Sequence, residues 1–245
     1  MFYIKIHTIQ ILRGGKKLKL TVVIPVYNEK DTIKEVIERV ERSPVEKEII
    51  IVDDGSNDGT KEILNTIKEQ RDNIQLLYLK ENMGKGQAIK RGFSIAKGDY
   101  IIIQDADLEY DPGQYPKLLE PLLKREADIV FGSRLLNRSP KGNWLLYFGR
   151  ISITWIANIL FKSNLTDAYT CYKLLPIDLV NSMNITSEGF ELEAELTAKT
   201  LLAGKKIKEI SISYNPRTHK EGKKITWRDW FRGVRMLFVL RYKNK

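Results

Sequence analysis

The sequence predicts an α/β fold, a doubly wound and mostly parallel sheet followed by a C-terminal amphipathic helix. Three observations lead there. Strand-like and helix-like stretches alternate through the first half of the chain. The strands are near-continuous branched runs, such as Ile49-Ile50-Ile51-Val52 and Ile101-Ile102-Ile103, as expected where both sheet faces are covered. Each run stops in a polar cluster, which puts a binding edge along the carboxyl ends of the strands.

Residues 1–18 read as an N-terminal extension. Leu18 to Val26 is the first core strand, ended by Pro25, and Tyr27-Asn28-Glu29 is a polar loop. Asp31 or Thr32 caps a helix with Ile33, Val36, Ile37 and Val40 at helical spacing. After Pro44 the second strand runs into Asp53-Asp54-Gly55-Ser56, and Asp58 caps a helix carrying Ile63, Leu64 and Ile67. Ile74 to Leu79 is a third strand, followed by Asn82-Met83-Gly84-Lys85-Gly86 and a helix with Ala88, Ile89 and Phe93 on one face. The Ile-rich strand comes next, then a helix marked by Leu118, Leu119 and Leu122. Ile129-Val130-Phe131 is a strand ending at Gly132-Ser133-Arg134. The alternation stops at a seam near Ser139-Pro140-Lys141-Gly142.

Beyond the seam, Trp144 to Phe161 is an aromatic helix interrupted by Arg150 and Asn158. Phe190 to Leu202 is a helix opening with Glu191, Glu193 and Glu195, whose bland reading is complementation of the helix dipole. Ile207 to Tyr214 is an edge strand. Residues 227–245 form a basic helix with Trp227, Trp230, Phe231, Val234, Leu237 and Phe238 on one face. Arg228, Arg232 and Arg235 lie on the other.

With 245 residues, 42% of them hydrophobic, the chain suits one substantial domain. A net charge of +10 calls for an anionic partner: nucleotide, phospholipid surface or nucleic acid. The single Cys171 excludes internal disulfides and reads as a small buried hydrophobe. No secretory signal is evident, and the longest uncharged apolar stretch, Ile151 to Phe161, falls well short of the roughly 20 residues a spanning helix needs.

The chemistry centres on the end of the Ile-rich strand. If the backbone stays extended, Asp105, Asp107 and Glu109 share one side. Three converging carboxylates repel one another unless a hard divalent cation, Mg²⁺ or Mn²⁺, sits among them and bridges to substrate phosphates. A solvated acidic turn is the bland alternative, and the position at the end of a buried strand disfavours it. Asp53 also ends a buried strand, where it can accept N–H donors from uracil or guanine. Arg134 and the basic loop with Arg217 and Lys223 would stabilise charge on a departing nucleoside diphosphate.

Pro25-Val26-Tyr27-Asn28-Glu29, Val52-Asp53-Asp54-Gly55-Ser56-Asn57-Asp58-Gly59-Thr60, Asn82-x-Gly84-Lys85-Gly86 and Asp105-Ala106-Asp107, in that order, resemble the motif series of family 2 glycosyltransferases with the Rossmann-like GT-A fold. Gly132-Ser133-Arg134 and Pro216-Arg217…Gly222-Lys223-Lys224 further resemble the dolichyl-phosphate mannose synthases and related polyprenyl-phosphate sugar transferases. The resemblance spans residues 18–226. It implies a nucleotide-binding half, 19–138, an acceptor half, 139–226, and a GDP- or UDP-linked sugar donor. Pro25, Tyr27, Glu29, Val52, Asp53, Lys85, Ala106, Arg150 and Lys223 would bind that donor. Asp105, Asp107 and Glu109 would hold the metal, and Asp105, Asp107, Arg134 and Arg217 would form the catalytic set.

The chain lacks the Q-x-x-R-W signature and long spans of processive synthases, which argues against polymer synthesis. It also lacks the C-terminal spans of some polyprenyl-phosphate transferases. A polyprenyl phosphate is already an anion and attacks without a strong base, in what the resemblance implies is a single inverting displacement. A hydroxyl acceptor would instead need a carboxylate base, for which Glu191, Glu193 and Asp167 are candidates. A sugar-phosphate nucleotidyltransferase would show a Gly-rich basic signature where Pro25 to Glu29 stand, and acidic strand ends would repel nucleic acid. The two aromatic helices are expected to hold the protein on the cytoplasmic face of an anionic membrane without crossing it, the alternative being that the C-terminal helix closes the domain core or makes a dimer.

Overall fold

In a computed structural model of the chain, residues 12–13, 16–136, 144–217, 224 and 226–243 are described. The seam at Ser139 to Gly142 and Lys223 lie outside them. At the N-terminus, β1 (Leu12–Arg13) and β2 (Lys16–Lys17) pair as a small antiparallel hairpin apart from the main sheet.

The main sheet comprises β3 (Leu20–Val26), β4 (Lys47–Asp53), β5 (Ile74–Tyr78), β6 (Tyr100–Ile103), β7 (Ile129–Ser133), β8 (Lys173–Pro176) and β9 (Ile207–Ser211), in the order β5-β4-β3-β6-β8-β7-β9. All neighbours run parallel except β8, which is antiparallel to both β6 and β7. The expected mostly parallel α/β sheet is present, with β9 at the predicted edge. Strand β8 was not foreseen, because a short Lys173-Leu174-Leu175-Pro176 run has neither the length nor the period of a recognisable strand. The helices are α1 (Ile33–Arg42), α2 (Thr60–Glu69), α3 (Lys85–Phe93), α4 (Tyr115–Leu123), α5 (Trp144–Phe161), α6 (Ile177–Ser182), α7 (Leu192–Leu202) and α8 (Trp227–Lys243).

Pro25 does not end its strand. The Val23 carbonyl accepts from Gln104 N on the β6 side, and alternation turns the Pro25 nitrogen to that same side, past the end of β6. No ladder bond is lost, so β3 continues to Val26 opposite Asp53. Parallel pairing of β3 with β4 and β6 thus lines up the Pro25 to Glu29 loop, Asp53-Asp54 and Asp105 to Asp107 along one sheet edge.

Helix α8 divides differently from the amphipathic split the sequence predicted. Gly233 and Leu237 are buried, with Trp230, Val234, Met236 and Leu240 packed against the core. Trp227, Phe231, Phe238 and Tyr242 form a second, exposed stripe beside the arginines. Helix α5 repeats this, exposing Phe148, Ile151, Trp155 and Ile159 at helical spacing while burying Ile153 and Ala157. Among the described residues no helix is long and apolar enough to cross a membrane.

Candidate active site

At the carboxyl edge of the sheet lies an open cavity of about 1190 Å³. Its floor is the Asp105-Ala106-Asp107 turn. The backbone does not stay extended there. It turns after Gln104, and Leu108 takes φ 61°, so the three carboxylates part company. All three line the cavity, and Glu109 accepts from the Tyr214 hydroxyl at 2.6 Å and from Arg217 N at 2.7 Å. Among the described residues no three acidic, histidine or cysteine side chains converge tightly enough to hold a metal unaided. Of the expected three-carboxylate cluster, the two aspartates lie toward the cavity, while Glu109 lines it already engaged by Tyr214 and Arg217.

Asp105 Oδ1 sits 2.6 Å from the Lys85 ammonium. Burial alone would push the Asp105 carboxyl up, but Lys85 holds it below the usual carboxylate range. Lys85 also lies 3.4 Å from Glu193, and Glu193 in turn meets the fully buried Lys173 at 2.6 Å. Burial, then the charges of Asp105 and Glu109, pushes the Asp107 carboxyl up to about 7, against the lowering effect of Arg217 at 3.4 Å. Arg217 is also paired to Glu29, which Lys224 meets at 2.7 Å. Its Nε is buried without a partner among the described residues.

The glycine motif explains how Lys85 arrives. Gly84 takes φ 94°, and a Cβ there would lie 2.4 Å from the Glu188 carbonyl oxygen. One on Gly86 would lie 2.5 Å from that of Ser187. Only glycine lets this loop lie against the segment before α7. Asp54 accepts from Met83 N and Gly84 N at 2.8 and 2.9 Å, fixing the loop from the other side.

A second basic group lines the far side of the cavity. Arg134 donates to both oxygens of the buried Asp167, at 2.7 and 2.8 Å, and to the Tyr169 carbonyl. Its guanidinium lies 5.3 Å from the Tyr214 ring centre, and that of Arg150 lies at the same distance. The Arg150 Nε is buried without a partner among the described residues. Beyond these arginines the wall becomes apolar, with Phe148, Ile153, Trp227, Trp230 and Phe231.

The glycosyl transferase family 2 model matches residues 21–179. The chain belongs to that family. This glycosyltransferase is 30% identical to an undecaprenyl-phosphate mannosyltransferase of Micrococcus luteus, over 84% of this chain and 87% of that protein. It is 29% identical to a dolichol-phosphate mannosyltransferase of Pyrococcus furiosus, over 84% of this chain but 59% of that one. Among solved structures, glucosyl-3-phosphoglycerate synthase from Mycobacterium tuberculosis aligns with TM-score 0.67 at 20% identity, covering 91% of this chain and 80% of that one. This likeness shows the GT-A fold.

The residues singled out in the sequence fall into three groups. Pro25, Tyr27, Glu29, Lys85, Asp105, Ala106, Asp107, Glu109, Arg134, Arg150 and Arg217 all line the cavity of the glycosyltransferase. Val52 and Asp53 do not. Val52 is fully buried in the sheet, and Asp53 lies beneath the surface with Oδ2 accepting from Ser56 N and Oδ1 unpartnered among the described residues. The candidate bases are each engaged within the protein. Arg134 holds the Asp167 carboxyl below its ordinary range although burial would raise it, Glu193 is tied to two lysines, and Glu191 caps Glu188 N and Gly189 N away from the cavity. Sequence reasoning missed Lys173, Tyr214 and the loop-holding role of Asp54. Only the doubled aspartate of Asp53-Asp54 carried a signal.

Proposed function

We propose that this glycosyltransferase moves a sugar from a nucleotide sugar to a polyprenyl phosphate, assisted by a divalent cation, at a membrane surface. One observation carries the reading: every carboxylate lining the described cavity already has a partner. Asp105, Asp107, Glu29 and Glu193 face cations, Glu109 accepts from Tyr214, Asp54 holds the Met83-Gly84 amides, and Asp229 accepts from Thr226. With Asp105 and Asp107 given to the cation, none is left over to take a proton from a hydroxyl acceptor, whereas a phosphate acceptor needs no base.

The donor set suits a hard cation. Asp105 and Asp107 offer oxygens toward the cavity and would hold Mg²⁺ or Mn²⁺, with diphosphate oxygens and water filling the coordination. When bound, that ion supplies charge to offset the leaving diphosphate. The Mycobacterium synthase is described in complex with Mn²⁺ and uridine diphosphate, which supports this choice. Tyr27 and Pro25 flank the nucleoside, and the unpartnered Asp53 oxygen accepts an N–H from the base. Arg217 faces the diphosphate with its unpartnered Nε. Arg134 and Arg150, seated on Tyr214, receive the acceptor phosphate. The apolar wall beyond them takes the first prenyl units, and the exposed rings of α5 and α8 rest in the headgroup layer. The names of the Micrococcus and Pyrococcus relatives favour a polyprenyl phosphate as acceptor.

The test is transfer from a panel of UDP- and GDP-sugars to a polyprenyl phosphate in anionic vesicles and, separately, to water-soluble hydroxyl acceptors. Transfer to the lipid alone, abolished by chelator, is the expected result. Equal transfer to a hydroxyl acceptor would sink the reading.

A further inference from the structure

We propose that Lys85 is the resident counterion of Asp105, holding the cation position while the site is empty and passing to the donor diphosphate when donor and divalent cation enter together. The inference deepens the reading above and rests on it. Lys85 Nζ lies 2.6 Å from Asp105 Oδ1 but 3.4 Å from Glu193, and Glu193 is already neutralised by Lys173 at 2.6 Å. The charge of Lys85 is therefore directed at Asp105, one of the two oxygen donors a divalent cation would use. A purely structural lysine would not need to reach the cavity, yet Lys85 lines it.

The backbone of Lys85 is held on two sides, by Asp54 through Gly84 N and by the Ser187 to Gly189 segment through Gly84 and Gly86. Only the flexible four-carbon stem is left to swing, and an ammonium on such a stem changes partners without a matching geometry.

The charge balance shows why the exchange must be concerted. Asp105 and Glu193 face Lys85 and Lys173 in one set of contacts, and Glu29, Asp107 and Glu109 face Arg217 and Lys224 in a second one beside it. A divalent cation entering alone would crowd Lys85 on the same carboxylate. A diphosphate entering alone would meet Asp105 and Asp107. Entering together they add no net charge, and Lys85, displaced from Asp105, finds a new anion in reach. Metal and nucleotide should therefore bind with strong mutual dependence, set by this one side chain.

Mn²⁺ binding followed by electron paramagnetic resonance, with and without UDP or GDP, tests this without any turnover. The wild-type chain should bind Mn²⁺ weakly alone and at least about tenfold more tightly with nucleotide. Lys85→Met should bind Mn²⁺ alone about tenfold more tightly than wild type, gain little from nucleotide, and bind nucleotide more weakly. Lys85→Arg keeps the charge and can grip Asp105 through two nitrogens, so it should fold like wild type and bind Mn²⁺ alone no more tightly. Overturning results are a folded Lys85→Met with unchanged or weaker affinity for Mn²⁺ alone, or Lys85→Arg binding Mn²⁺ alone more tightly than wild type. A wild-type chain that ignores Mn²⁺ even with nucleotide present would instead remove the metal reading itself.

Discussion

Glu29 grips both ends of the Arg217 guanidinium, at 3.0 Å to Nη1 and 3.1 Å to Nη2, across 188 residues of sequence. The Arg217 backbone nitrogen is held by Glu109 at 2.7 Å, so the arginine is fixed at main chain and side chain. This geometry predicts that Glu29 positions Arg217, whereas its place in the Pro25 to Glu29 motif implies contact with the nucleoside. Glu29→Gln should lower kcat by roughly 10²-fold while changing donor KM far less, since misplacement of a charge-stabilising group costs mainly the transition state. Steady-state kinetics at varied donor checks this, and a change confined to KM would return Glu29 to the nucleoside.

Asp107 carries a pH signature. Its folded-state carboxyl titrates at about 7, against an ordinary value of 3.8. Between those values the folded chain keeps a proton that the unfolded chain has released, so this group's contribution to stability falls as pH rises from about 4 to about 7. In chelator and without nucleotide, the Tm of the wild type should fall across that window. Asp107→Asn should show a shallower fall and should bind no Mn²⁺. Parallel Tm profiles for the two proteins would remove the assignment.

For the nucleotide base, the unpartnered Asp53 oxygen is the observation that matters. Asp53→Ala should weaken UDP or GDP binding by about 1.5–3 kcal/mol, the range for a hydrogen bond to a charged group. Calorimetry on folded protein measures it, and unchanged affinity would leave Asp53 as the residue that caps Ser56 N.

Membrane contact is best tested without truncation, because removing α8 would uncover Leu237 and the core around Gly233. Trp155, 64% exposed, and Phe238, 43% exposed, bury little within the protein and are better probes. Trp155→Ser and Phe238→Ser should leave Tm near wild type and each weaken co-sedimentation with anionic vesicles by about tenfold, as expected for one large apolar side chain withdrawn from lipid. Undiminished sedimentation of the double variant would show that these stripes face something else.

Much of this was legible in the sequence because the isoleucine runs of β4 and β6 have the signature of strands covered on both faces, and their polar ends mark the functional edge. Other features depend on contacts that sequence does not carry. The Asp105, Asp107 and Glu109 alternation looks like one extended face, and a single turn at Leu108 breaks that extension and brings Glu109 to Tyr214 and Arg217. The Asn82-x-Gly84-Lys85-Gly86 motif announces a special loop, but its purpose appears only with the Ser187 to Gly189 segment lying against it, about a hundred residues away. The aromatic residues of α8 were read as one face because a helical wheel does not say which half meets α5 and α7.

Strand β8 is the hinge between the two halves of the sheet. Because it lies between β6 and β7 and runs against both, those two strands have no bonds to each other. The β5-β4-β3-β6 half is complete in sequence by Ile103, with β3 and β6 pairing as Leu20 with Tyr100, whereas β7 and β9 reach that half only through residues 173–176. Within the sheet, the arginine-bearing side of the cavity is thus joined to the nucleotide edge through β8 alone. A ribosome-bound chain ending before β8 would carry the nucleotide edge already formed, with β6 as an open flank.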